Sequence, residues 1–183
     1  MRRVAFWLLV LCTAAATAGT VWFAYALRGD MVDNRTIRLF HAGNEAEMRD
    51  GADPRVAYAR ALFLAWRDRV AEAEVLAPML GDAPPDLWSG FHLAIGNARM
   101  RAAFEFIETS RLEEAVPEVE LAKRAYRDAL RASPGNYDAK VNLDLASRLV
   151  RDMPREGQEG SEETDRQPRR VWTDLPGLPR GEP

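Results

Sequence analysis

The segment AKRAYRDALRASPG, residues 122–135, spaces Ala122, Tyr126, Ala129 and Leu130 at intervals of three and four, then stops at Pro134. That spacing puts one small or apolar face on a helix. Small side chains let a second helix approach closely, and Ser133-Pro134-Gly135-Asn136 is a turn. The same intervals recur upstream at Ala73, Ala77, Leu80 and Pro85. Two helical hairpins of related design are therefore expected.

Working outward, Asp53-Pro54 starts a first helix, with Asp as N-cap and Pro at the first position. Its stripe is Tyr58, Ala61, Leu62, Ala65 and Trp66. A second helix, about Arg69–Leu80, turns Val70, Ala73, Leu76 and Leu80 inward, and Gly81 stops it. After Ala83-Pro84-Pro85, Asp86 caps a third helix, about Leu87–Thr109. Its stripe is Trp88, Phe91, Ile95, Ala98, Ala102 and Phe106. Ser110 and Glu113 match a capping box, and Pro117 predicts a kink or a fresh start in the fourth helix. A fifth helix, Tyr137–Val150, presents Val141, Leu145 and Leu149 on one face. Period-two alternation is absent, so the fold class is all-α.

Ala122, Tyr126, Ala129, Leu130 and Pro134 resemble the second half of a tetratricopeptide (TPR) unit. Residues 53–151 then form a TPR-like α-hairpin array, with a generic helical bundle as the alternative. Pro85 and Pro134 lie 49 residues apart. Against a period of about 34, that implies an insertion of about 15 residues, placed at Ile107–Val116. Asp144 stands where TPR units usually carry Gly, and the first helix lacks their Trp-Leu-Gly pattern.

Between Arg3 and Arg28 lie 24 residues without formal charge, VAFWLLVLCTAAATAGTVWFAYAL. As a helix they reach roughly 36 Å, against ~30 Å of bilayer hydrocarbon. Trp7 at one end, and Trp22 and Tyr25 at the other, suit the two interfaces. Residues 1–28 read as a transmembrane helix that anchors the chain in the inner membrane. Ala16-Thr17-Ala18 keeps a cleaved signal peptide open as the alternative. Arg2, Arg3 and the terminal amine favour N-in, C-out, with the C-terminal domain in the periplasm. Residues 29–52 read as a polar juxtamembrane linker, with a short helix around Arg35–Phe40.

From residue 152 to 183 the chain reads as a disordered tail, rich in Glu, Arg, Gln, Gly and Pro. It ends on an apolar motif, Trp172, Leu175, Pro176, Leu178 and Pro179, which is the candidate partner-binding segment. Trp172 either covers an open end of the array or docks on a partner.

Of the 183 residues, 25 are Lys or Arg and 28 Asp or Glu, a net charge of −3 that argues against nucleic acid as a partner. Cys12 is the single cysteine and lies in the apolar run, which excludes an internal disulfide or Cys-based zinc site. No phosphate-loop, dinucleotide or zinc-protease motif occurs, so no cofactor, metal or catalytic residue is assigned. His92 reads as a half-buried helix residue and His41 as solvated. The tail carboxylates Glu156, Glu159, Glu162, Glu163 and Asp165 lack the tight loop that calcium needs. Glu72, Glu74, Glu113 and Glu114 read as outward faces pairing with Arg at i,i+4.

Tyr126–Arg131, Tyr137–Leu143 and the run from Asp174 to Gly181, which contains Leu-Pro-Gly-Leu-Pro-Arg-Gly, together resemble the MxaK family of methanol-oxidation gene clusters. The first two blocks are common among TPR proteins. The third, eight residues long, is the more specific. Glu182-Pro183 departs from the family's apolar finish. The resemblance implies a non-enzymatic accessory factor in maturation of methanol dehydrogenase, the calcium- and PQQ-dependent periplasmic enzyme. It extends to calcium loading of that enzyme, with methanol dehydrogenase or its other accessory proteins as partners. The alternative is a TPR-like scaffold for another envelope process, such as cytochrome maturation.

Overall fold

The computed structural model describes residues 2–152. Among them are α1 (Arg2–His41), α2 (Pro54–Ala65), α3 (Val70–Glu74), α4 (Ala77–Leu80), α5 (Pro85–Glu108), α6 (Leu112–Ala132) and α7 (Tyr137–Asp152), and no strand.

Helix α1 is 40 residues long, about 60 Å at the standard rise. Its apolar part, with a mean hydropathy of 1.9 over 18 residues, is exposed and long enough to cross a membrane. The hydroxyls of Thr13, Thr17 and Thr20 donate to the carbonyls of Leu9, Ala14 and Ala16, so they need no outside partner.

Residues 29–41 depart from the expected linker. The helix continues unbroken past Arg28 to His41, and Asp33, Thr36 and Phe40 are buried. This docking face was hard to see because two of its three members are polar. Phe40 meets Phe63 of α2 with ring centroids 5.4 Å apart. The base of α1 is thereby part of the folded body rather than a leash to it.

Asp53 caps α2 as expected, its Oδ1 accepting from the Arg55 N–H at 2.8 Å. Trp66 leaves the predicted stripe. It is the residue that ends α2, and it stands 77 % exposed. Val70, Ala73, Leu76 and Leu80 are all buried as expected. Their helix is broken in two, since Pro78 has no N–H for the Glu74 carbonyl.

Helix α5 starts at Pro85 with Asp86 inside its first turn, and buries Phe91, Ile95 and Ala98. The Ser110 capping box does not form. Ser110 takes a left-handed conformation (φ 59°), and Arg111, forked onto Glu114, precedes α6. Helix α6 also runs through Pro117 without a fresh start. The donor that Pro117 lacks would have served the carbonyl of Glu113, an exposed residue.

Helices α5 and α6 form the central hairpin. Ala115, Val119, Ala122, Tyr126 and Ala129 are buried along α6. A Cβ at Gly96 would stand 2.5 Å from the Tyr126 ring, so only glycine admits that ring here. Gly90 accommodates the Tyr58 hydroxyl in the same way.

On α7 two of the three residues of the expected inward face are turned outward, Val141 45 % and Leu145 51 % exposed, while Leu149 is half-buried. Ala139 and Ala146 are buried instead. Two polar contacts fix that rotation: Asn136 Nδ2 donates to Ser89 Oγ at 2.8 Å, and Asn142 Nδ2 to Asn97 Oδ1 at 2.8 Å. Asn136 also starts α7, its Oδ1 accepting from the Ala139 N–H at 3.0 Å.

Candidate functional site

One face of α5 lines two clefts that meet at Asn97 and Arg101. The first, about 220 Å³, lies toward α2 and is walled by Tyr58, Leu62, Trp66 and Leu93. The second, about 300 Å³, lies toward α7 and is walled by Met100, Phe104, Tyr126, Asn142 and Leu145.

Asn97 holds the junction together. Its Oδ1 accepts from the Tyr126 hydroxyl at 2.9 Å and from Asn142 Nδ2 at 2.8 Å. With that oxygen occupied twice, the Asn97 NH₂ group is its remaining hydrogen-bonding capacity. Burial pushes the Tyr126 phenol well above its ordinary pKa, while nearby Arg101 pulls the other way. Burial alone raises Tyr58. Both phenols are neutral donors at physiological pH.

Arg101 is braced at the rim. It donates to Asp68 Oδ1 at 3.0 Å and to the Ala65 carbonyl, and its guanidinium lies 5.5 Å from the centre of the Trp66 ring. Asp68 reaches it from a left-handed backbone position, φ 58°. The clefts thus combine apolar walls, an exposed indole, amide groups and a cation already paired. Such a lining suits recognition of a partner by shape and hydrogen bonding.

On another face of α5, a third cleft of about 260 Å³ contains His92, Glu74, Arg124 and Asp128. His92 stacks on Trp88 with ring centroids 5.7 Å apart. Its burial lowers its pKa, an effect that Asp128 opposes and Arg131 reinforces. The imidazole is therefore neutral near pH 7. His41 is exposed at the end of α1.

Glu72 and Glu114 pair with Arg69 and Arg111, but at i,i+3. Glu74 instead crosses to Arg99 of α5 at 3.1 Å, and Glu118 of α6 meets the same arginine at 3.2 Å. No group of three or more His, Cys, Asp or Glu side chains that would hold a metal occurs among the described residues.

Trp172, Leu175, Pro176, Leu178 and Pro179 lie outside the described residues, as do the tail carboxylates. Asn97, Arg101 and Asn142 escaped the sequence reading. The available signal was asparagine inside two helices, where its side chain competes with the backbone and needs a local reason to stay.

No protein-family model, no curated protein and no solved structure matches this chain.

Proposed function

We propose that the chain is a membrane-anchored interaction factor whose helical hairpins form a TPR-like array, and that the groove over Asn97 grips a segment of a partner protein. The paired phenol–amide junction between two apolar clefts is the observation that carries this reading. Its donors are fixed, its cation is already neutralised, and its exposed Trp66 offers a flat apolar surface. The spacing of Ala122, Tyr126 and Ala129, all buried against α5, supports the TPR-like part. The resemblance to MxaK supplies the client: methanol dehydrogenase or its accessory proteins in the periplasm, during maturation and calcium loading. Trp172, Leu175, Pro176, Leu178 and Pro179 serve as a second docking element.

A photo-crosslinking residue in place of Trp66 or Phe104, in the full chain expressed in its own cells, tests the proposal. Adducts to methanol dehydrogenase or its accessory proteins support it in full. Adducts to cytochrome-maturation proteins support the scaffold and remove the methanol assignment. Absence of adducts at both positions, with adducts elsewhere on the surface, removes the groove.

A further inference from the structure

Past the apolar run, α1 sorts its charges by face. Asp33, Thr36 and Phe40 face the body and are buried. Asp33 binds Arg49 of the body, whereas Asp30 is exposed. Arg28, Arg35 and Arg38 are exposed and follow one another at intervals of seven and three. That spacing places them on one stripe, opposite the buried face. Met31, 65 % exposed, lies between the first two. None of the three arginines forms an ion pair among the described residues.

Their position relative to the bilayer is fixed by the helix itself. Arg28 directly follows Leu27, the last residue of the uncharged run. Arg35 and Arg38 stand about 10 and 15 Å further along the axis. A run of roughly 36 Å in ~30 Å of hydrocarbon relieves its excess length by leaning. Leaning toward the stripe lowers the three arginines and Met31 onto the surface. Leaning the other way presses the body side onto it, where Arg49 and Arg55 are already engaged by Asp33 and Asp53 and so offer less to an anionic headgroup.

We infer that Arg28, Arg35 and Arg38 bind the phosphates of anionic lipid headgroups, so that α1 leans on its arginine stripe and carries the body on its upper side. The inference rests on α1 crossing the membrane. Arginine suits the role because its planar fork meets phosphate in two places.

The test uses the full chain with Cys12→Ala and a spin label at Met31→Cys, in nanodiscs of phosphatidylcholine alone or with phosphatidylglycerol. Collision of the label with a water-soluble nickel chelate is expected to fall several-fold when the anionic lipid is present, and to recover at high salt. Arg28→Gln, Arg35→Gln and Arg38→Gln together abolish the response, whereas the three Lys variants keep most of it. Equal collision rates in the two lipids, or a response that survives in the Gln variant, overturns the stripe. An acidic protein as the true ligand gives the former result. Failure to insert into neutral discs overturns the spanning helix, and the stripe with it.

Discussion

Asp33 and Arg49 face each other in a two-pronged ion pair, with Nε and Nη2 each 2.7 Å from a different carboxylate oxygen. The Asp53 N–H adds a third bond to Asp33 at 3.0 Å. One buried carboxylate therefore ties the base of α1 to the start of α2. Replacing Asp33 by Asn removes the charge and half the fork. We expect a loss of about 1–2 kcal/mol of stability, measured by denaturant unfolding of the detergent-solubilised chain.

The same carboxylate sets part of the pH dependence. Burial pushes its pKa up, but Arg49 and the Asp53 N–H prevail and leave it below the usual value of 3.8. A depressed carboxylate contributes stability above its unfolded pKa and loses it as pH falls through the folded one. His92, also depressed, acts earlier: its contribution is present above 6.5 and is lost as the pH falls below that. Unfolding midpoints measured against pH are expected to show two acid steps. His92→Gln flattens the upper step and Asp33→Asn the lower.

Gly96 and Tyr126 are in closer contact than any Cβ allows. Gly96→Ala is expected to cost about 1–3 kcal/mol, although Gly→Ala within a helix ordinarily stabilises it. Thermal unfolding beside Tyr126→Phe separates the two contributions. The phenylalanine variant loses only the bond to Asn97, about 1 kcal/mol.

Asn97→Leu leaves the Tyr126 hydroxyl and the Asn142 amide without their acceptor. We expect about 1–3 kcal/mol of destabilisation and looser docking of α7, read as faster amide exchange over Tyr137–Ser147. Unchanged exchange there argues that the junction is not what holds α7.

Trp66 separates recognition from stability. At 77 % exposure its replacement by Ala should alter stability by no more than about 0.5 kcal/mol. Crosslinking yield from the Phe104 position should drop several-fold in the same variant. Undiminished yield would place the partner away from the indole.

Much of the fold was legible because burial follows periodicity. Val70, Ala73, Leu76 and Leu80, and the alanines flanking Tyr126, lie where a spacing of three and four puts them. The misreadings came where polar atoms decide. Val141 and Leu145 look inward by hydropathy, yet Asn136 and Asn142 rotate α7 through their hydrogen bonds. The base of α1 looked like linker because a buried Asp33 needs Arg49, sixteen residues away, to explain it. Local propensity also failed at Ser110, where the turn takes a left-handed residue and Arg111, rather than a hydroxyl cap, leads into α6. The groove was invisible for a related reason: its key side chain, Asn97, acquires its role only when α6 and α7 close over it.

The unbroken run of α1 from Leu27 to Phe40 makes the link between the apolar run and the body a mooring post, not a rope. A body on a slack leash sweeps a hemisphere and meets partners at many heights. On the proposed reading of α1 as a membrane span, a body bolted to a rigid rod keeps one elevation above the bilayer, and a client protein would then be selected by where it sits as well as by what it presents.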